Sequence, residues 1–127
     1  MRDVPAPVAP WQLALRFALE VGALVAIGRW AGACFKGVYG YLAGWGAPAL
    51  VALVWVTFAV RGDPSRSGRA PIPVRGTTRL ALELGVFLAG LAALAATRAW
   101  LWLGGFSVGL LLHHLGTLPR LRWLVRQ

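Results

Sequence analysis

Two arginine–glutamate pairs carry the acidic chemistry that this sequence places inside its apolar runs. Arg16 and Glu20 stand four apart, as do Arg79 and Glu83, a spacing that puts both members of a pair on one helix face. A carboxylate at bilayer depth has two uses. It can hold a proton or cation on a path across the membrane, or it can lock helices together through hydrogen bonds. Thr57 adds a hydroxyl near the end of the second apolar run, and His113 and His114 add imidazoles near the end of the last. The candidate polar layer is therefore Arg16, Glu20, Thr57, Arg79, Glu83, His113 and His114.

Arginine preceding glutamate is the weaker order, and arginine near a helix N-terminus opposes the dipole, at a cost of tenths of a kcal/mol to about 1. An unpaired charge at bilayer depth costs more, about 2.5–3.5 kcal/mol on insertion scales. Pairing therefore wins. Arg16 and Arg79 are expected to snorkel to the headgroups, with Glu20 and Glu83 turned to the bundle interior. Glutamine at either glutamate keeps the hydrogen-bonding shape and is expected to preserve folding, whereas alanine weakens the bundle.

Metal and redox chemistry find little support. Neighbouring helical residues point about 100° apart, so His113 and His114 do not converge on one ion. No Glu-x-x-His pair of the di-iron type occurs. Haem or quinone binding through His113 or His114 is the weakest of three functional readings. Cys34 is the only cysteine, which rules out an intrachain disulfide and a thiolate cluster. There is no phosphate loop. No catalytic residue, metal or cofactor is assigned.

The elements that must position these residues are membrane spans. Of the 127 residues, 58% are hydrophobic and 13% charged, about half the charge of a soluble domain. Sixteen glycines and seven tryptophans suit close helix packing and interfacial anchoring. Hydropathy gives one integral membrane domain, residues 1–127, with spans at about 11–30, 41–60, 79–98 and 99–118 and a polar loop at 61–78. Each span is about 20 residues or about 30 Å, the hydrocarbon thickness. Residues 1–10 form a proline-rich lead-in. Pro48 falls near the start of the second span, and Pro119 stops the fourth. The loop, rich in Pro, Gly, Ser and Arg, reads as having no core, and its Arg61-Gly62-Asp63 as chance. Arg120, Arg122 and Arg126 alternate with Leu121, Trp123, Leu124 and Val125 in a basic amphipathic tail for the interface.

The pairs belong to an internal repeat. Arg16-Phe17-Ala18-Leu19-Glu20-Val21-Gly22 and Arg79-Leu80-Ala81-Leu82-Glu83-Leu84-Gly85 agree at five positions, 63 residues apart. Each opens a helix leaving the same side, so the fold class is an all-α membrane protein. Its four transmembrane helices form two parallel-repeat helical hairpins. Three Gly-x-x-x-Gly pairs, Gly28/Gly32, Gly40/Gly44 and Gly105/Gly109, add modest support for close packing.

The thirteen basic residues orient the bundle. Arg2, Arg16, Arg61, Arg66, Arg69, Arg75, Arg79, Arg120, Arg122 and Arg126 share one side, against Arg29, Lys36 and Arg98 on the other. Both termini are thus expected in the cytoplasm. The net charge of +9 sits between apolar runs and at the ends, which favours contact with anionic lipid over nucleic acid.

Residues 15–30, Leu15-Arg16-Phe17-Ala18-Leu19-Glu20-Val21-Gly22-Ala23-Leu24-Val25-Ala26-Ile27-Gly28-Arg29-Trp30, resemble the opening of the YrdB-like family of small bacterial membrane proteins. Arg79 through Leu84 is similar to that family's second signature, and Gly46-Ala47-Pro48 also resembles it. The resemblance implies a four-helix protein of the bacterial cytoplasmic membrane with unassigned function. Two further readings remain beside the haem one. The preferred one is a non-enzymatic bundle packing with itself or a larger membrane partner. The other is a small proton-coupled transporter or channel using Glu20 and Glu83.

Overall fold

A computed structural model of the chain describes residues 7–64 and 69–127. Arg2, Arg66 and most of the proline-rich lead-in lie outside the described residues. The first helix, α1 (Pro10–Ala33), opens on a proline whose fixed φ suits the first turn. Gln12 accepts the Ala9 amide at 3.2 Å and donates its own amide to the Gly116 carbonyl at 2.7 Å, tying the start of α1 to the last helical residue of the α4 helix described below.

Nothing in Ala31-Gly32-Ala33 breaks the helix, so α1 runs past its expected end. The chain reverses at Gly37, whose φ of +64° is strained for any residue with a Cβ. α2 (Val38–Thr57) therefore starts earlier than hydropathy indicated, and Pro48 sits inside it rather than near its start. Having no N–H, Pro48 leaves the Gly44 carbonyl without its intrahelical donor. Gly28 of α1 turns its Cα to that carbonyl: a Cβ on Gly28 would stand 2.7 Å from the Gly44 oxygen. Gly32 and Gly40 meet in the same way, a Cβ on Gly32 lying 3.3 Å from the Gly40 carbonyl. Two of the three Gly-x-x-x-Gly pairs thus form one backbone-to-backbone crossing, while Gly105 faces open space. Gly28→Val is expected to cost about 1–3 kcal/mol by forcing this crossing apart, read as a lower thermal midpoint in detergent.

After α2, β1 (Phe58–Ala59) and β2 (Ile72–Pro73) pair in parallel, Phe58 opposite Ile72 and Ala59 opposite Pro73. α3 (Gly76–Ala96) packs on α1, with Gly90 against Ala23. Thr97 donates its hydroxyl to Ala93 and Leu94, Arg98 takes φ of 55°, and α4 (Trp100–Gly116) returns antiparallel. Its end is marked by Thr117, whose hydroxyl caps the His113 carbonyl at 2.7 Å. Then α5 (Leu118–Val125) leaves at 69° to α4.

α1 is the centre of the bundle, touching α2, α3 and α4. Leu19, Ala23, Trp55 and Phe87 make one buried cluster; Ala26, Ile27, Ala93 and Leu94 make a second towards the other end. α2 buries only Trp55, leaving Tyr41, Leu42, Trp45, Leu50 and Leu53 exposed. α1, α2 and α3 are long and apolar enough to cross a membrane, and α4 with α5 makes a fourth candidate if the bent pair counts as one.

The loop corrects the expectation of a segment without a core. Val60 packs with Trp123 and Leu124 in a third cluster, and Asp63 is buried. α5, expected to float at the interface, folds back as a lid over the loop and the start of α3. Gln12–Gly116, Asp63–Arg120 and Gly76–Leu124 contacts gather the start of α1, the loop and the C-terminal helix at one end of the bundle.

Candidate functional site: a buried ionic hub

The hub is built on Glu83, in the second turn of α3 and 0% exposed. Arg79, one turn earlier, donates its Nε to Glu83 Oε1 at 3.2 Å. Arg16, on the adjacent face of α1, donates Nη2 to the same oxygen at 2.8 Å and Nε to Glu20 Oε1 at 3.0 Å. Arg120, in the first turn of α5, donates Nη2 to Glu83 Oε1 at 2.7 Å and Nη1 to Oε2 at 3.1 Å. The same guanidinium grips Asp63 in a bidentate pair, Nε to Oδ1 at 2.8 Å and Nη2 to Oδ2 at 2.5 Å. Among the described residues, three arginines thus meet three carboxylates, so their formal charges cancel.

Arg79 also serves the end of α2. Its Nη1 donates to the Trp55 and Phe58 carbonyls at 2.7 and 2.6 Å, which are among the carbonyls a helix C-terminus leaves unsatisfied. The Trp55 ring lies beneath two guanidinium groups, 4.5 Å from Arg79 Cζ and 5.7 Å from Arg16 Cζ, within cation–π range. Edge contacts run from Trp55 to Phe87 and on to Phe106, walling the hub off from the far half of the bundle.

Four of the seven residues singled out in the sequence, Arg16, Glu20, Arg79 and Glu83, share this cluster. Arg16 and Arg79 do not snorkel: they are 3% and 0% exposed, turned inward to the Glu20, Glu83, Trp55 and Phe58 acceptors. The two glutamates are unequal. Glu83 is enclosed, whereas the Glu20 side chain keeps 22% of its surface and borders a cavity of about 160 Å³ with Phe17, Val51, Ala52 and Trp55. Thr57 stays outside, its hydroxyl bonded to the Leu53 carbonyl of its own helix at 2.6 Å. His113 is buried against Phe87, and a His114 ring nitrogen meets the Leu110 carbonyl at 2.8 Å. Neither histidine bonds a hub side chain, and no three metal-binding side chains converge among the described residues.

Sequence reasoning missed Asp63 and Arg120. The available signal was scarcity: with only four acidic residues in the chain, a carboxylate just beyond a span is seldom idle decoration.

Residues 14–111 match the family described as Protein of unknown function (DUF2568). The chain belongs to this family. It is also 39% identical over 115 residues to the uncharacterized protein YrdB of Bacillus subtilis (strain 168), covering 91% of this chain and 94% of that protein. No solved structure matches. The family region contains both Arg–Glu pairs and Asp63, and ends before Arg120.

Proposed function

We propose that this is a multi-pass protein of the bacterial cytoplasmic membrane, a non-enzymatic bundle whose ionic hub latches a cytoplasmic cap onto the helices. One observation carries this: a single fully buried carboxylate, Glu83, accepts from arginines on three separate elements, α1, α3 and α5. Such a group joins parts of the chain that hydropathy alone would leave independent. Four helices cross in this reading, as two hairpins related by a pseudo-two-fold axis along the membrane normal. The packing of α1 on α3, which brings the two repeated Arg–Glu pairs together, supports it.

Both termini face the cytoplasm. The charge bias supports it: Arg2, Arg16, Arg61, Arg66, Arg69, Arg75, Arg79, Arg120, Arg122 and Arg126 outnumber Arg29, Lys36 and Arg98. The exposed cytoplasmic arginines meet anionic lipid, and the uncovered face of α2 packs with a second copy or a larger membrane partner. Reporter fusions at Arg69 and Gln127 are expected to signal cytoplasm and one at Lys36 periplasm; a periplasmic signal at Arg69 contradicts the orientation.

The transporter reading survives in narrower form. Glu83, held by three arginines, is poorly suited to carry a proton, but Glu20 has one arginine and borders a cavity. Proton uptake by reconstituted protein that disappears in Glu20→Gln and persists in Ser107→Ala is the outcome that favours it.

A further inference from the structure

The larger cavity lies at the opposite end from the hub. It is a groove of about 720 Å³ between α1 and α2, walled by Leu24, Val25, Tyr41, Trp45 and Ala49, and Arg29 also lines it. Arg29 is exposed and makes no hydrogen bond or ion pair among the described residues. Its neighbours Trp30, Phe35, Tyr41 and Trp45 are exposed aromatics, the composition of a membrane–water interface. Along α2 the groove runs from Gly40 to Ala52, about 18 Å of helix, which is a little over half of a hydrocarbon core about 30 Å thick.

We propose that this groove binds one phospholipid of the outer leaflet with an anionic headgroup, its phosphate on Arg29 and an acyl chain along α1 and α2. The inference rests on the membrane reading above and adds a defined ligand site to it. The apolar walls accept any acyl chain, since chain-to-protein contact replaces chain-to-chain contact at little gain. Preference comes from charge: Arg29 has no acidic neighbour of its own, and a phosphate supplies the missing partner. A lipid whose phosphate has no cationic group beside it gains more from Arg29 than a zwitterionic one.

Full-length protein, delipidated in detergent and mixed with phosphatidylglycerol or phosphatidylcholine of equal chain length, is examined by native mass spectrometry. The expected result is one retained phosphatidylglycerol per chain, favoured about fivefold over phosphatidylcholine, the preference one arginine at a membrane surface supplies. Arg29→Gln removes the preference. Ala49→Trp, which fills the groove without touching a charge, lowers retention of both lipids. Ser107→Ala, on α4 and away from the groove, leaves the preference unchanged. Equal retention of both lipids by the unaltered protein overturns the proposal, as does a preference that persists in Arg29→Gln or retention that Ala49→Trp leaves unchanged. Displacement of the adduct by millimolar inorganic phosphate also overturns it, because the site then reads the phosphate alone. Absence from the membrane fraction of expressing cells would instead remove the membrane reading itself, a result separable from any lipid preference.

Discussion

Glu83→Gln should fail to accumulate in the membrane, or accumulate with a thermal midpoint far below that of the unaltered protein. The amide removes one negative charge from the cluster and turns an N–H₂ donor towards guanidinium groups that are themselves donors only. Three buried arginines then lose the acceptor they share. Removing one partner of a buried ionic pair costs about 3–5 kcal/mol, and here the loss is spread over Arg16, Arg79 and Arg120. This reverses the expectation, drawn from spacing alone, that glutamine is tolerated at both glutamates. It holds only for Glu20, whose half-open pair with Arg16 should contribute no more than about 1 kcal/mol. Paired measurements of membrane level and detergent stability for the two variants decide the matter. Equal behaviour would mean that the hub is not the lock.

Gly76→Val should release α5. A Cβ at Gly76 would run into the Leu124 carbonyl oxygen and stand 2.9 Å from its Cα, so the clash is with backbone and no rotamer relieves it. The cost of overpacking is about 1–3 kcal/mol, occasionally more. In this protein it falls on a short helix fastened by Trp123, Leu124 and the Arg120 grip on Asp63 and Glu83. Trypsin added to inside-out membrane vesicles should cut after Arg122 at least tenfold faster in the variant, while the transmembrane core stays intact. Unchanged cleavage would show that α5 is not held against the start of α3.

Much of the framework was legible because membrane spans announce themselves through length and hydropathy. Each of the expected spans overlaps a helix, within a few residues at most ends. The largest offsets are three residues, at the end of α1, both ends of α2 and the start of α3. α2 runs through Pro48, since Gly28 of a neighbouring helix accommodates the freed Gly44 carbonyl. The Arg16–Glu20 and Arg79–Glu83 pairs followed from i, i+4 geometry within single helices, the strongest short-range rule available. The Gly-x-x-x-Gly pairs were visible as well, but spacing could not tell the two that meet from the one that does not.

What the sequence determined by itself is therefore local: which segments are long and apolar enough to span, and which charges share a helix face. Those properties depend on residues within a few turns of one another. The tertiary structure alone decided that both Arg–Glu pairs merge on one carboxylate, that Asp63 and Arg120 complete the cluster, and that the loop and tail form a folded cap. Asp63 and Arg120 lie 57 residues apart, with α3 and α4 between them. No periodicity connects such positions; their pairing depends on where α1, α3 and α5 come to rest. A charge in a loop or tail carries the same sequence signature whether it meets water or a buried partner, and only the three-dimensional packing distinguishes the two.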